Sequence, residues 1–257
     1  MRYGGNTACV EVRSRDGAVL ILDAGTGIRR LGATLDGTRR IDILLSHLHA
    51  DHIQGLGFFA PLFQAERDVH IWGPASTTLA LRQRLTRYLS APLFPVHLRE
   101  LPSRISLHDA PIGEFEIEGV RVVTDLILHP GPTLGYRLSE GDVTIAYLSD
   151  HEPALGGELP ASDAWTSGSR LARGADLLIH DSQFTDAEYA ARIGWGHSAL
   201  SQALAFAGRS GSGRLVTFHH DPAHSDGELD RLHSEAAAGD LDFELIPGSE
   251  GLTMEIG

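Results

Sequence analysis

Ile41-Asp42-Ile43-Leu44-Leu45-Ser46-His47-Leu48-His49-Ala50-Asp51-His52 is an apolar run that ends in three imidazoles and a carboxylate within six residues. Residues 41–45 read as a buried strand, so the polar groups begin where the strand stops. In an extended loop His47 and His49 project to one side, Asp51 continues the row and His52 turns away. That spacing serves two neighbouring cations better than one. Imidazole nitrogen and carboxylate oxygen without thiolate suit zinc, with manganese or iron as alternatives. The competing explanation is a polar turn whose histidine spacing is coincidental.

The rest of the chain weighs against coincidence. Residues 124–128 run into His129, residues 144–148 into Ser149-Asp150, residues 176–179 into His180-Asp181, and residues 215–218 into His219-His220. A single His after a strand is usually a solvated loop residue. Five strands that each deliver His or Asp at the carboxyl end form a pattern, and in α/β folds that edge is where ligand sites assemble.

Around these strands, apolar runs alternate with helix-like stretches. Residues 8–13 and 18–23 flank Ser14-Arg15-Asp16-Gly17 and read as a hairpin with an Asp-Gly turn. Gly25-Thr26-Gly27 opens a short helix to about Leu35, as a helix-opening glycine turn. Helices are expected at 54–60, from a Ser76 cap to Tyr88, at 185–192, at 198–209 and over 225–238. Further strands are expected at 69–72, 114–118, 120–128, 134–138, 143–149, 175–180, 214–219, 243–246 and 252–256. Residues 90–112 are proline-rich and short on periodicity, which reads as a structured loop, and 153–167 as a surface flap. No repeat or composition break divides residues 1–257, so a single domain is expected.

The chain has 257 residues, of which 42% are hydrophobic, enough for a real core. Lys plus Arg number 21 against 34 Asp plus Glu, a formal net charge of −13. General-surface binding of nucleic acid wants the opposite sign, so a phosphate-bearing substrate would be attracted locally. The single cysteine, Cys9, excludes an intramolecular disulfide and suits a reducing cytoplasm; it reads as a small buried residue. No signal peptide or membrane-length apolar run is visible.

The His-x-His-x-Asp-His motif at 47–52, with distal ligands following, resembles that of the metallo-β-lactamase fold superfamily, and the likeness spans nearly the whole chain. It implies a four-layer αββα sandwich: two mixed sheets packed face to face with helices outside. One metal would be held by His47, His49 and His129, and a second by Asp51, His52 and His219 (His220 as fallback), with Asp150 bridging. Asp23 would stand in the family's acidic turn. Gly196-His197-Ser198 and Gly135-Tyr136-Arg137 are similar to the phosphodiesterase branch, which includes ribonuclease Z and a cyclic phosphodiesterase. There the Gly-His-Ser histidine protonates the leaving oxygen, a role carried here to His197; an N-cap turn is its structural alternative. Members of that branch start with a glycine/serine-rich edge strand before the Tyr-Gly-Gly-Asn-Thr stretch, which is missing ahead of Met1-Arg2-Tyr3.

The expected activity is hydrolysis of a small or cyclic phosphodiester by a hydroxide bridging two divalent ions. Asp51 and His197 are the candidate catalytic residues. Arg137 could add charge stabilisation, and His180 with Asp181 could fix a ligand's tautomer. Extended nucleic acid is not expected as a partner, since no long Gly/Pro-rich arm for transfer RNA is visible; a homodimer is an open option. A thioesterase, lactonase or β-lactamase on the same metals is the first alternative. A non-catalytic metal-binding regulatory module is the second.

Overall fold

A computed structural model describes residues 2–156 and 158–257. The chain forms two compact units. One comprises residues 6–111 and 116–120, the other residues 2–5, 112–115 and 121–257.

The first unit is built on a five-stranded sheet in sequence order: β1 (Val10–Arg13), β2 (Val19–Leu22), β3 (Arg40–Leu44), β4 (Asp68–Pro74) and β5 (Arg104–Ala110). β1 and β2 form the expected hairpin, with Val10 opposite Leu22 and Ser14 accepting from Gly17 N across the turn. From β2 onward every pairing is parallel, so each strand needs a crossover. α1 (Ile28–Gly32), α2 (Ala50–Ile53) and α3 (Leu81–Tyr88) lie in those connections. Val19-Leu20-Ile21-Leu22 is buried throughout, as a central parallel strand requires. Ile21, Ile43 and Ile71 pack with Ile28, Leu56, Phe59 and Leu85 in one core.

Three local expectations are corrected here. Residues 54–60 form two short 3-10 turns, Gln54–Phe58 and Ala60–Phe63, rather than one helix. The backbone is crowded there: a Cβ on Gly55 would sit 2.0 Å from Gly25 O. The helix expected from Ser76 starts at Leu81, because Gln83 Oε1 accepts from Ala80 N and takes the capping role. Strand β5 lies inside the expected 90–112 loop; it pairs along its whole length with β4, from Asp68↔Arg104 to Pro74↔Ala110. Its alternation is short, with Ile105 and Leu107 packed on the core between polar neighbours.

The second sheet has seven strands in the order β12-β11-β10-β9-β8-β7-β6. They are β6 (Gly113–Ile117), β7 (Val120–Leu126), β8 (Leu134–Glu140), β9 (Val143–Leu148), β10 (Leu177–Asp181), β11 (Arg214–Phe218) and β12 (Glu244–Pro247). β9 to β12 are mutually parallel, and β7–β8 and β8–β9 are antiparallel. Two antiparallel steps restore direction, so β7 ends on the same edge as β9, β10 and β11. His129, Asp150, Asp181 and His219 follow or end those four strands. α4 (Ser169–Ala172) and α6 (Leu200–Ser210) cover one face, with Ala203, Phe206 and Ala207 packed on Ala146, Leu148, Leu178 and Leu215. α5 (Asp186–Tyr189) is shorter than expected, and α7 (Asp226–Ala237) falls where expected. Residues 252–256 carry no strand. Among the described residues, no helix is long and apolar enough to cross a membrane.

Candidate metal centre

In the first unit, β2 and β3 are parallel neighbours, so Asp23 after one lies beside Ser46 after the other. Asp23 has φ +61° and is fully buried. Its carboxylate accepts from Ser46 N at 2.7 Å, from Ser46 Oγ at 2.8 and 2.9 Å, and from His52 Nδ1 at 2.8 Å. His47 Nδ1 lies 3.0 Å from Ser46 Oγ. Both rings are thereby oriented by their Nδ1 side, which presents Nε2 as the ligand atom. The acidic turn is therefore the support of the histidine loop as well as a glycine turn. A Cβ on Gly25 would stand 2.3 Å from Asp51 O, so the loop rests directly on that glycine.

His52 does not turn away, as an extended loop would require. Residues 50–53 are helical with His49 at the N-cap, and a helical turn brings position 52 back toward 49. The His47 ring centroid is 4.4 Å from that of His49 and 4.2 Å from that of His52, and His52 Nε2 is 3.4 Å from Asp51 Oδ2.

In the second unit, Asp150 is 2% exposed and faces two imidazoles. Its Oδ2 is 3.8 Å from His129 Nε2, and its Oδ1 is 3.4 Å from His219 Nε2. His129 Nδ1 donates to Gly196 O at 2.9 Å, which turns Nε2 toward Asp150. His219 and His220 differ in backbone and surroundings. His219 takes φ +58°, which ends β11 in a sharp turn. His220 instead places Nε2 3.2 Å from Gly248 O and packs edge-on to Tyr3 and His233. Burial pushes the His220 imidazole down to about 4, so it is a neutral packing residue.

His197 places Nδ1 2.6 Å from Asp181 Oδ2, and Asp181 Oδ1 accepts from Ser198 N at 2.8 Å. The His197 ring lies 5.0 Å from that of His129 and 5.1 Å, stacked, from that of His219. The tautomer-fixing role expected of Asp181 thus falls on His197 rather than on a metal ligand. Arg137, offered as charge stabilisation, instead donates to Leu171 O and Arg173 O at 2.8 and 2.9 Å, so its guanidinium ties β8 to the end of α4. Cys9, expected as a small buried residue in an early strand, is half-buried and precedes β1; desolvation, with Asp23 adding to it, pushes its thiol up and away from reactivity.

His180 and His151 are fully buried against Phe206, with His151 Nδ1 donating to His180 Nε2 at 2.9 Å and His180 Nδ1 to Asp181 O at 2.7 Å. Burial, and for His151 also the facing imidazole, lowers both below the ordinary histidine value of 6.5. The unfolded chain takes up these protons first as the pH falls through that value, so stability declines below it. We expect the folded protein to lose stability between pH 6.5 and 5.5. Urea unfolding of chelator-treated protein at both pH values measures this; an unchanged midpoint would refute the neutral pair.

The family described as "Beta-lactamase superfamily domain" matches residues 19–220, more than three quarters of the chain. The chain belongs to this family, and it is a metal-dependent hydrolase of the metallo-β-lactamase superfamily. Ribonuclease Z of Myxococcus xanthus (strain DK1622) is 28% identical over 282 residues, covering 93% of this chain and 88% of that protein. Two crystal structures share the fold. The metallo-beta-lactamase fold protein YhfI from Bacillus subtilis has a TM-score of 0.72 at 19% identity and covers 100% of this chain and 96% of its own. A diphosphatase from the PhnP family has a TM-score of 0.68 at 20% identity, covering 97% and 84%. The α/β fold with two mixed sheets, expected from the resemblance, is thus the observed one.

The residues fit the divalent ions that this family implies. Each unit offers imidazole nitrogens and carboxylate oxygens, the donors of zinc, manganese and iron sites. The far nitrogens of His47, His52 and His129 are each engaged by Ser46, Asp23 and Gly196 O, the support that ligating histidines require.

Proposed function

We propose that this hydrolase is a phosphodiesterase acting on a small or cyclic phosphodiester, with His197 as its general acid. One divalent ion, zinc by donor chemistry, is assigned to His47, His49 and His129, and a second to Asp51, His52 and His219, with Asp150 shared. Bound there, the ions supply Lewis acidity at the phosphoryl oxygens and an activated water for in-line attack. Asp51 would help hold the second ion and would orient the attacking water. His197 keeps its Nδ1 proton on Asp181 and carries a second proton at Nε2, which it hands to the departing oxygen.

The observation that carries this reading is the 2.6 Å pair between His197 and the fully buried Asp181, set beside two ligand histidines. An alkoxide leaving group is strongly basic and needs a proton in the transition state. A thiolate does not, so a buried carboxylate dedicated to an acid favours oxygen esters over thioesters. The net charge of −13 favours a small anion drawn in locally over a long RNA, although the relative named above is a ribonuclease Z.

The test is metal analysis of purified protein together with turnover of bis(p-nitrophenyl) phosphate, a thioester, a β-lactam and a precursor transfer RNA. Two ions per chain and preferential diester hydrolysis are expected. Turnover of the thioester or β-lactam alone would overturn the phosphodiesterase reading. Efficient cleavage of the RNA would overturn the small-substrate part.

A further inference from the structure

Glu152 has no role in the chemistry above, yet it is a fully buried carboxylate whose hydrogen bonds all serve one loop and its anchor. Its Oε1 accepts from Gly194 N at 3.0 Å and from Tyr189 OH at 2.7 Å. Its Oε2 accepts from Gly194 N at 3.1 Å and from Gly196 N at 3.0 Å. With both oxygens accepting and no donor required, the group is used as a carboxylate, and charge-assisted bonds of this kind are the strong ones. The two amides flank Trp195 and sit immediately before His197. The second of them belongs to the residue whose carbonyl receives His129 Nδ1.

We propose that Glu152 is a positioning residue: by clamping residues 194–196 it sets the His197 ring against Asp181. Between Gly194 and Gly196 the loop is otherwise tied by Trp195 N, which donates to Arg192 O at 3.0 Å. Gly194 and Gly196 take φ +83° and +85°, and the approach at Gly196 is so close that a Cβ there would lie 2.4 Å from His129 Nδ1. Such a backbone is held by its hydrogen-bond partners rather than by side-chain packing. Asp181 secures the loop from the far side, through Ser198 N. Two buried carboxylates therefore grip the five residues from Gly194 to Ser198, one before the acid and one after it. The anchor extends outward, since Tyr189 OH also accepts from Gly156 N at 3.0 Å.

The test is Glu152→Gln, whose amide nitrogen cannot accept from a backbone N–H. Its kinetic arm rests on the phosphodiesterase reading, and its second arm does not. On diphenyl phosphate, whose leaving group needs the acid, kcat is expected to fall about 30-fold, with KM changed less than about twofold. On bis(p-nitrophenyl) phosphate, whose leaving group is far less basic, the loss is expected to be about threefold or less. Adding Glu152→Gln to His197→Ala should cost no more than about twofold beyond His197→Ala alone, because the two act as one unit. Independently of turnover, amide exchange of Gly194 and Gly196 in chelator-treated protein should speed up by about tenfold or more, with the rest of the sheet unchanged.

An equal loss on both diesters, full additivity with His197→Ala, or unchanged exchange at the two glycines would each overturn the proposal. If wild-type protein hydrolyses neither diester, the phosphodiesterase reading fails while the exchange measurement still decides the clamp. Should Glu152→Gln not fold, Tyr189→Phe removes the outer anchor only and is expected to show the same leaving-group dependence at about threefold. A loss in Tyr189→Phe that is the same on both diesters, or none at all, would also count against the proposal.

Discussion

Asp150→Ala is expected to abolish hydrolysis to the limit of assay, a loss of at least about 10³-fold in kcat/KM, equivalent to ~4 kcal/mol. The reason is the placement of its two oxygens. Oδ2 stands 3.8 Å from His129 Nε2 and Oδ1 3.4 Å from His219 Nε2, so one carboxylate serves a histidine of each proposed ion. Without it both imidazoles lose the anion that balances a shared cationic pair. Metal content should drop from two ions per chain to one or fewer, measured by elemental analysis after dialysis. Asp150→Ala protein that retains two ions and at least a tenth of the activity would remove Asp150 from the ligand set. Prolonged chelation of wild-type protein should reproduce the loss, and re-addition of zinc should reverse it.

His197→Ala is expected to lower kcat by about 10²–10⁴ on a diester with a basic leaving group and to leave KM and metal content near wild type. The proton it holds is used only in the transition state. Asp181→Asn should lose a substantial part of the same factor, since the amide cannot hold the ring by accepting at both Nδ1 and Ser198 N. The double variant should be no worse than His197→Ala alone within about threefold. Full-rate hydrolysis of diphenyl phosphate by His197→Ala would end its assignment as the acid, and another proton donor would then be required.

Both expectations depend on residues far apart in the chain, and the extent to which they were legible beforehand follows from periodicity. A buried strand announces itself as an apolar run, and its end is marked by the first polar residue. That is why the 47–52 motif, His129, Asp150, Asp181 and His219 could all be named from strand ends, and why β2, β3, β9, β10 and β11 fell where expected. β5 did not, because only Ile105 and Leu107 carry its alternation, within a proline-rich stretch. The 54–60 stretch reads as a helix from its apolar residues but is crowded out of that shape where Gly55 meets Gly25. Arg137 looked like a site residue by proximity to His129 in sequence; its hydrogen bonds to two carbonyls show a structural tie instead.

What the residues alone determined is the chemistry: imidazoles and carboxylates set at strand ends, a fold that alternates strand and helix, and membership in a family of metal-dependent hydrolases. What only the tertiary structure decided is which groups hold which. Asp181 meets His197, Asp23 carries the histidine loop, and Glu152 accepts from Gly194 and Gly196. The physical reason is that ligand type is a property of each side chain and can be read along the chain. Orientation is a property of hydrogen bonds closed across 16 to 44 residues, and nothing local in the sequence encodes those partners.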